Sequence, residues 1–423
     1  MTDETRDEDR EVMPRMMRRL SLSDDLRRML GRPERRLEVR VPIRRDDGTL
    51  AVFPAWRVQY DRTLGPAKGG VRFHPGVDAE EVTTLARWMT VKCALMQLPL
   101  GGGKGGVQVD PSDLSPAELE RVAREFIRQV ADVIGPDQDI PAPDVNTDGR
   151  VMGWMIDEYS NLVRRREPAA ITGKPLPLGG SEGRVAATGR GALHVLDAWA
   201  ARRDLSAEET TVAVQGFGNA GAWFARLAAE AGYRVVAVSD SSGAVRSDAG
   251  FDTEALAALH DAKQDGQSVQ DAAPEGAERI DGAALLTLEV DVVALAALED
   301  AVTGDNVDAV QADAVLEIAN GPVSAGADAA LAGRDVPVLP DVLANAGGVT
   351  VSYYEWVQGR TGESWTEAQV NDRLKARMDD AAARVLDRAE AEGWTLREAA
   401  YALALERIDA AVAARGTSCF YRS

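Results

Sequence analysis

The chain of 423 residues holds very little cysteine and lysine and has no long apolar run. Its two cysteines, Cys93 and Cys419, are too few for a disulfide framework and lack the spacing of a metal knuckle, so no disulfide and no metal site is predicted. The N-terminal residues show no basic-then-apolar leader pattern, and no window approaches the roughly 20 apolar residues that span a bilayer. The sequence therefore predicts a cytoplasmic protein in a reducing compartment, with no membrane partner.

Negative charge outweighs positive charge, with 68 acidic against 48 basic residues and a net charge of -20. Since phosphate binding needs clustered cations, this balance argues against a nucleic-acid partner. Only six of the basic residues are lysines: Lys68, Lys92, Lys104, Lys174, Lys263 and Lys375. An acidic surface that avoids lysine stays soluble when salt screens charge repulsion, which favours a salt-tolerant, halophilic host over the alternative of a biased genome. The first four lysines nevertheless lie in glycine- or proline-rich runs or on a helix flank, where a specific use is indicated.

The length predicts about two domains. In the first part of the chain, Arg36–Ile43 and Leu50–Tyr60 are typical of strands, and Pro54 favours an edge position for the second of them. Apolar residues at helical spacing predict helices over residues 78–98 and 115–134. These elements indicate a mixed α/β first domain.

From about Gly183 the pattern changes to strands that alternate with helices, which predicts a parallel, doubly wound sheet. The predicted strands are Thr210–Gln215, Tyr233–Ser239, Val290–Leu295, Ala314–Ala319 and Val336–Leu339, and the predicted helices include Gly189–Ala201 and Asn219–Ala231. The polar segment Asp261–Gly282 indicates a surface excursion. Two terminal helices, Glu367–Glu392 and Leu396–Arg415, are long enough to pack back onto the first domain.

A glycine motif of the form GxGxxG follows the predicted strand that ends at Gln215. It consists of Gly216, Gly218 and Gly221. Such glycines let backbone N–H groups approach a pyrophosphate at the positive end of a helix, which predicts a dinucleotide site. Asp240 ends the next predicted strand, near the spacing for a ribose contact. Its charge favours NAD by repelling a 2′-phosphate, whereas Ser241 and Ser242 could hydrogen-bond one, so NAD is slightly favoured and NADP stays open.

Two glycine-rich runs, Gly65–Arg72 and Pro99–Gly106, carry one lysine each, Lys68 and Lys104. Glycines let a backbone crowd a small ligand, and the lysines supply cations. A phosphate-binding P-loop is excluded, because Lys104 lacks both the leading glycine and the following Ser or Thr. Asp144, held between prolines and a polar turn, supplies a carboxylate or, alternatively, caps the following helix.

Three lysines and one carboxylate would suit a substrate that has two carboxylates and an amine: Lys68, Lys92, Lys104 and Asp144. If Lys68 and Lys92 pair with the substrate carboxylates, their charges and partial desolvation lower the pKa of Lys104. A neutral lysine amine at the working pH is a usable general base.

Seven dense motifs resemble the glutamate dehydrogenases of the Glu/Leu/Phe/Val dehydrogenase superfamily, and they follow the family order from about Arg57 to Arg415. They are Gly65–Arg72, Lys92–Ala94 with Leu98–Val107, Asp139–Thr147, Thr172–Pro175 with Gly179–Ser181, Ala187–Gly191, Gln215–Gly221 and Asn345–Ser352. The resemblance implies reversible oxidative deamination of L-glutamate to 2-oxoglutarate and ammonium with NAD or NADP, in a homohexamer of the small-subunit type.

The resemblance also implies an α/β fold with two domains across a cleft. A mixed α/β substrate-binding and oligomerisation domain would comprise residues 1–184 with about 387–423. A Rossmann-like, doubly wound dinucleotide-binding domain, including a hinge helix, would comprise residues 185–386.

For the substrate, the resemblance implies a role for each of five residues. Lys68 matches the lysine that holds the side-chain carboxylate of glutamate, and Ser352 matches the hydroxyl that helps it. Lys92 matches the lysine that binds the α-carboxylate. Lys104 matches the catalytic lysine that activates water for attack on 2-iminoglutarate, and Asp144 matches the carboxylate that shuttles protons to and from the amine.

For the cofactor, Thr188, Asn219 and Asn320 match positions near the nicotinamide or its ribose. Asn345 and Arg184 match parts of the cleft between the domains, and we count Asn345 with the cofactor-binding residues.

The chain departs from the family pattern at two places. Tyr60 and Asp61 stand where many members have His-Asn, which is expected to reshape only a strand of the first domain. Leu295 stands where a proline is expected near the cofactor, which puts the local loop geometry in question.

Two rival functions are weighed on particular residues. Dehydrogenases of the leucine or phenylalanine type have an apolar residue at the position of Lys68, because a lysine is costly to bury against an alkyl side chain. Lys68 together with Ser352 therefore favours glutamate. A non-catalytic paralogue that acts as a regulatory subunit is the second rival, and the presence of Lys92, Lys104 and Asp144 argues against it.

Overall fold

The computed structural model describes residues 12–415, in which the chain divides into two compact units. The N-terminal unit is built mainly from Met17–Arg184 and Val349–Asn371, and the central unit from Val185–Gly348 and Asp372–Ala402. The chain passes from the N-terminal unit to the central unit between Arg184 and Val185, where the domain boundary was predicted. Toward the C-terminus it passes between the units three times, after residues 348, 371 and 402, whereas one boundary near residue 387 was predicted. The domain bounds themselves stay a prediction. Cys419 and the first residues of the N-terminal segment lie outside the described residues.

The N-terminal unit contains a five-stranded sheet. Its strands are β1 (Arg35–Arg44), β2 (Leu50–Asp61), β3 (Ala67–Phe73), β4 (Gly101–Val107) and β5 (Asp139–Pro143). Their order is β1-β2-β4-β3-β5, with β2 antiparallel to both of its neighbours and β3, β4 and β5 parallel. The sheet is thus mixed, as expected for this part of the chain.

Strand β2 lies inside the sheet, so the predicted edge position was wrong. Its pairing with β4 begins at Ala55, which leaves Pro54 just beyond the paired stretch, where its missing N–H removes no ladder hydrogen bond to β4. Strands β3, β4 and β5 were not predicted. Glycine and proline disfavour strands, and five of the seven residues of β4 are glycine, so the local sequence conceals this strand.

Capping residues fix where helices of the first part of the chain begin. They are α1, which includes residues 12–19, α2 (Asp24–Met29), α3 (Ala79–Leu95), α4 (Pro116–Val130) and α5 (Gly149–Val163). Asp78 caps α3 by accepting the N–H of Glu81 at 2.8 Å, and Ser115 with Glu118 forms a complete capping box before α4. The apolar face of α4 is buried in the hydrophobic core beside the sheet, including Phe126, which confirms the helical periodicity.

The central unit contains a seven-stranded sheet whose strands alternate with helices. The strands are β6 (Thr211–Gln215), β7 (Arg234–Asp240), β8 (Gly243–Arg246), β9 (Glu278–Ile280), β10 (Val292–Leu295), β11 (Ala314–Glu317) and β12 (Val338–Leu339). Their order is β12-β11-β10-β6-β7-β8-β9, in which β12 through β7 are parallel and β8 and β9 are antiparallel additions. The predicted doubly wound sheet is confirmed. The order reverses at β6, the kind of switch point at which ligands bind beyond the carboxyl ends of the strands.

The remaining helices are α6 (Ala187–Ala201), α7 (Asn219–Glu230), α8 (Thr253–Gln264), α9 (Ala325–Gly333), α10 (Asp341–Ala344), α11 (Gly347–Thr361), α12 (Glu367–Glu392) and α13 (Leu396–Ala414). The predicted bounds of α12 are confirmed, and α13 ends one residue earlier than expected. The segment Asp261–Gly282 is less of an excursion than predicted, because its start completes α8 and its end forms β9. Among residues 12–415, none of the helices combines the length and apolar character needed to span a membrane.

The last part of α13 belongs to the N-terminal unit, whereas most of α12 and the start of α13 belong to the central unit, so the prediction that both terminal helices return to the first domain holds only for the end of α13. Arg407 fixes it there by donating to the carbonyl oxygens of Ala94 at 2.9 Å and Leu98 at 2.9 Å, at the end of α3. Because the last carbonyls of a helix lack intrahelical partners, this arginine completes the helix that carries Lys92.

Candidate active site

The lysines of the two glycine-rich runs lie on neighbouring parallel strands of the N-terminal unit. Lys68 on β3 stands opposite Gly102 on β4, and Lys104 follows Gly102 by two residues. Since side chains alternate across a strand, Lys68, Gly102 and Lys104 share one face of the sheet. Both lysines are almost fully buried, with 1% and 4% of their surface exposed.

Helix α3 packs against that same face. A β-carbon at Gly102 would overlap the backbone nitrogen of Thr90 and the carbonyl oxygen of Ala86, so glycine is required there for the helix to approach the strand. Lys92 lies in the last turn of α3 and is 6% exposed. The close approach therefore brings a third buried lysine to the face that carries Lys68 and Lys104.

Lys104 and Asp144 form a direct ion pair between Nζ and Oδ2. The other carboxylate oxygen of Asp144 accepts from Arg72 Nε at 3.1 Å, and Arg72 in turn pairs with the buried Glu81 on α3. Asp144 thus stands between two cations. Sequence reasoning did not identify Arg72 or Glu81, although Arg72 ends the glycine run that carries Lys68.

The pKa values of the pair move in the same direction for different reasons. Burial lowers the pKa of Lys104, and the charge of Arg72 lowers it further, while Asp144 opposes the shift. Burial alone would raise the pKa of Asp144, but the charges of Lys104 and Arg72 outweigh it and hold the pKa well below its usual range. The predicted lowering of the Lys104 pKa is confirmed, with Arg72 as the main cationic contributor in place of Lys68 and Lys92.

Asp144 follows strand β5 directly and does not cap the next helix. That cap is Asp148, whose side chain accepts the N–H of Val151 at 2.9 Å, so the alternative role for Asp144 was wrong. A polar turn fixes Asp144 instead, because its N–H donates to Thr147 Oγ1 at 2.8 Å. The carboxylate is therefore held by its own backbone as well as by its two cations.

Lys68 donates to the carbonyl oxygen of Ile140 on β5 at 3.2 Å. Burial lowers the pKa of Lys68 to about 7, and the nearby cations of Arg184 and Arg57 add to the shift. Arg184 donates through Nε to Ser352 Oγ on α11 at 3.2 Å. Lys68, Arg184 and Ser352 thus form a cationic group with one hydroxyl, suited to a carboxylate.

A buried ion pair lies one helical turn beyond Ser352. Glu355 accepts Lys174 Nζ at 2.5 Å and the N–H of Gly173 at 2.8 Å, and both charged side chains are fully buried. Residues three apart lie on the same face of a helix, so this pair fixes the rotation of α11 that presents Ser352. Glu355 gave no signal in the sequence, whereas Lys174 stood out as one of few lysines.

The glycine motif of the central unit lies between the end of β6 and the start of α7. Gly216 has φ +96°, and a β-carbon on Gly221 would overlap the carbonyl oxygen of Gly216, so both positions require glycine for the turn itself. A β-carbon on Gly218, the N-cap of α7, would meet no heavy atom within 4 Å. The glycine at 218 leaves open space at the positive end of a helix, as a pyrophosphate requires.

Asp240 ends β7 as predicted, and its carboxylate is already engaged. Oδ2 accepts Lys263 Nζ at 2.5 Å and the N–H of Val269 at 3.0 Å, and Oδ1 accepts the N–H and the hydroxyl of Ser242. Burial alone would raise its pKa, but Lys263 and Ser242 lower the pKa of Asp240 to about 2. Lys263 thus places a cation beside the carboxylate expected to discriminate against a 2′-phosphate.

The remaining predicted cofactor residues are placed at helix and strand ends. Asn345, at the C-terminus of α10, donates to Asn320 Oδ1 at 2.9 Å and to the carbonyl oxygen of Ala319 at 3.1 Å. Asn219 opens α7 and donates to the carbonyl oxygen of Val185 at 3.0 Å, and Thr188 is the second residue of α6. The structure brings Asn320 and Asn345 together, while Asn219 and Thr188 are positioned by their own helices.

The two departures from the family pattern have clear local consequences. Leu295 is buried, ends β10 and accepts the N–H groups of Ile318 and Ala319 at 2.8 Å each, so its carbonyl ties the end of β10 to the end of β11. Tyr60 donates its hydroxyl to the carbonyl oxygen of Leu30 at 2.7 Å, and Asp61 accepts from Thr63. Both departures are accommodated by satisfied hydrogen bonds.

Comparison with known proteins extends over nearly the whole chain. The family described as Glutamate/Leucine/Phenylalanine/Valine dehydrogenase matches residues 179–416, and the Glu/Leu/Phe/Val dehydrogenase dimerisation domain matches residues 33–161. The chain is 46% identical over 417 residues to an NADP-specific glutamate dehydrogenase of Synechocystis sp., with 97% of each chain covered. It is also 46% identical over 397 residues to the NAD-specific glutamate dehydrogenase A of Halobacterium salinarum, covering 94% of this chain and 90% of that protein.

Solved structures give the same result. The hetero-hexameric glutamate dehydrogenase from Thermus thermophilus in its Leu-bound form has a TM-score of 0.92 and 40% identity, with 98% of both chains covered.

Proposed function

The chain belongs to the Glu/Leu/Phe/Val dehydrogenase family, and we propose that it is an NAD(P)-dependent glutamate dehydrogenase that interconverts L-glutamate with 2-oxoglutarate and ammonium. The observation that carries the proposal is the buried Lys104–Asp144 pair beside the buried cation of Lys68. A buried lysine is an unfavourable group unless an anion joins it, and a substrate with a second carboxylate supplies that anion.

The substrate groups follow from the charges of the N-terminal unit. Lys68 and Ser352 would hold the side-chain carboxylate of glutamate, and Lys92 would hold the α-carboxylate. Arg184 supports the first of these contacts through its hydrogen bond to Ser352. A leucine or phenylalanine side chain would leave Lys68 buried against carbon, so the fully buried lysine favours glutamate over those substrates.

The cofactor groups follow from the backbone of the central unit. The open space at Gly218 and the N–H groups at the start of α7 would receive the pyrophosphate, and Asp240 would lie at the adenine ribose. Asn320 and Asn345 would contact the nicotinamide ribose. We propose that either NAD or NADP fits, because Asp240 favours NAD while Lys263 compensates its charge.

Accepting a hydride from the α-carbon of glutamate is the task of the nicotinamide cofactor when it is bound. Asp144, ionised at neutral pH, would take a proton from the substrate amine, so that the α-carbon becomes an imine carbon. Lys104 in its neutral form would then take a proton from water as the water oxygen bonds to that carbon. The nitrogen would take its proton back from Asp144 and leave as ammonia, which becomes ammonium with the hydroxyl proton lost as the carbonyl forms, and Lys104 would release its proton to solvent. In sum, glutamate, water and oxidised cofactor become 2-oxoglutarate, ammonium, reduced cofactor and a proton.

A hexameric assembly is also proposed. The description of the Thermus thermophilus protein as hetero-hexameric and the match of residues 33–161 to a dimerisation domain support it. A sedimentation or light-scattering measurement of mass checks this number.

The experiment that tests the proposed function follows reduced cofactor during incubation of the protein with glutamate and NAD or NADP, at low and high salt. We expect turnover with glutamate and much weaker turnover with leucine. Lys104→Ala should lose about a thousandfold in kcat, since general acid–base catalysis contributes roughly 10²–10⁴-fold, and should still bind cofactor.

Lys375→Ala is the matched control, because Lys375 is an exposed lysine whose ion pair with Asp379, at 2.7 Å, lies within α12. Its rate should equal that of the unaltered protein. The absence of turnover with either cofactor at every salt concentration would contradict the enzymatic proposal and favour the regulatory-subunit rival.

A further inference from the structure

A cluster of one arginine and three carboxylates is buried in the central unit. The lysines of the proposed active site belong to the N-terminal unit. Arg397, in the first turn of α13, donates to Glu317 at 2.9 Å, to Asp328 at 3.2 Å and to Asp341 at 3.4 Å. The side chains are buried to different degrees, with exposures of 12% for Arg397, 0% for Glu317, 16% for Asp328 and 7% for Asp341. The proposed reaction has no use for these four residues as reactants.

Two of the carboxylates bind the backbone that carries the proposed nicotinamide contacts. Glu317, the last residue of β11, accepts the N–H of Asp341 at 2.8 Å, and Asp341 accepts the N–H of Gly321 at 3.0 Å. Gly321 is the residue after Asn320, and Asp341 opens the short helix α10, whose C-cap is Asn345. The two asparagines are hydrogen-bonded to each other, so Glu317 and Asp341 hold both ends of the segment that places them.

The cluster has an excess of negative charge when all of its carboxylates are ionised, because a single arginine faces three of them. Burial raises the pKa of Glu317 to about 7, and Asp341 and Asp328 add to that rise while Arg397 opposes it. Burial alone would lower the pKa of Arg397, but the three carboxylates outweigh it and raise the pKa. Arg397 is therefore the cation that allows Glu317 and Asp341 to stay adjacent in a buried site.

We propose that Arg397 is a positioning residue for cofactor binding: through Glu317 and Asp341 it sets the placement of the Asn320–Asn345 pair. The inference rests on the proposed function, because the two asparagines contact the nicotinamide ribose only if the protein is the dehydrogenase proposed above. Without Arg397, the pKa of Glu317 rises further and Glu317 takes up a proton, so that it holds the N–H of Asp341 less strongly and the start of α10, with Gly321 bound to it, is less firmly placed.

The test is direct binding of NADH or NADPH by fluorescence titration, without substrate, together with steady-state kinetics on the full-length protein. Arg397→Met should weaken cofactor binding by about tenfold or more, since a small misplacement of contact groups can cost up to about a hundredfold in rate. The KM for cofactor should rise accordingly, while the KM for glutamate, whose groups lie in the N-terminal unit, should stay within about twofold.

Two further variants separate positioning from a general loss of stability. Arg202→Met makes the same substitution in the same unit at an exposed arginine that pairs with Asp387 and Glu390 on α12, so it should change thermal unfolding only slightly and leave cofactor binding unchanged. Arg397→Lys keeps the cation but loses the geometry of the three contacts. Its affinity for the cofactor should therefore lie between those of Arg397→Met and the unaltered protein. If Arg397→Met does not fold, Arg397→Lys carries the test alone.

The outcomes are distinguishable from a failure of the proposed function. If the unaltered protein turns over glutamate and Asn345→Ala weakens cofactor binding, but Arg397→Met and Arg397→Lys do not, the positioning role is wrong while the function stands. If Arg202→Met weakens cofactor binding as much as Arg397→Met, the effect is one of stability and the inference is overturned. A rise confined to the cofactor KM in the Arg397 variants supports it.

Discussion

Gly69 and Gly102 of the N-terminal sheet and Gly218 of the central motif all lie in glycine-rich runs, yet they differ in what fills the space beside them. In the N-terminal unit, a β-carbon at Gly69 would overlap the carbonyl of Gly103, and one at Gly102 would overlap the backbone of α3. In the central unit, a β-carbon at Gly218 would meet no protein atom within 4 Å. Gly69 and Gly102 therefore serve packing between strands and helix, whereas Gly218 leaves space for the cofactor that we propose there.

The two units also differ in the chemical groups that they offer to the proposed ligands. The N-terminal unit offers buried charged side chains whose pKa values depend on burial and on one another, as for Lys104, Asp144 and Lys68. The central unit offers backbone N–H groups, with charged residues as supports. Substitutions in the N-terminal unit should therefore change chemistry and pH dependence, whereas those in the central unit should change cofactor affinity.

The largest expected effect comes from removing the buried charge of Lys68. Lys68→Met should lower kcat/KM for glutamate by about a thousandfold, because burying a charge without its partner costs roughly 3–5 kcal/mol. Activity toward an unbranched apolar amino acid such as norleucine should rise relative to glutamate. Kinetics with both substrates provide the measurement.

The same variant should be more stable than the unaltered protein near pH 7. The folded pKa of Lys68 is about 7 against an ordinary value of 10.5, so between these values the unfolded chain binds more protons and the stability of the unaltered protein rises with pH. The gain in Lys68→Met should therefore be greatest below pH 7 and fade toward pH 10.5. A lower melting temperature for Lys68→Met at pH 7 would contradict the burial argument.

Two glycine substitutions, which should have effects of intermediate size, test the contrast between the packed glycine Gly102 and the open glycine Gly218. Gly102→Ala should destabilise the protein by about 1–3 kcal/mol or more, as overpacking does, because the methyl group meets backbone on α3. Gly218→Ala should lose less than about 1 kcal/mol, the scale of an N-cap change, yet weaken cofactor binding by about tenfold or more. Urea unfolding and cofactor titration measure the two quantities, and equal destabilisation by both variants would remove the distinction.

The smallest expected effect concerns the choice between NAD and NADP. Lys263→Met leaves the charge of Asp240 without its cation, so binding of NADP should weaken by up to about fivefold relative to NAD, in keeping with the modest energy of a partly exposed ion pair. Lys375→Met, which breaks the exposed pair of Lys375 with Asp379, is the matched control. An unchanged ratio of the two dissociation constants would show that Lys263 has no part in the choice.

Much of the central unit was predictable because its signals are local. The alternation of apolar strands and helices, the glycine motif and Asp240 lie in continuous segments whose patterns predict structure directly. The bounds of α12 and the capping box before α4 were predictable for the same reason. Strands β3 to β5 were not, because glycine and proline conceal strands that are held by their neighbours in the sheet.

The choice of charged partners was beyond the reach of sequence patterns. Arg72 meets Asp144 across 72 positions of sequence, and Glu355 meets Lys174 across 181, so the pairs exist only after the strands and helices have packed. Lys263, which pairs with Asp240, lies in a segment whose sequence predicts a surface excursion. Long-range pairing of this kind leaves no periodic trace in the chain.

The sequence by itself determined the fold class, the family and the identity of the candidate catalytic residues, since those depend on residue types in local motifs. Only the tertiary structure decided which glycines face the protein and which faces open space, and which cation lowers the pKa of Lys104. Both depend on distances between residues far apart in the chain, because burial and charge act through space.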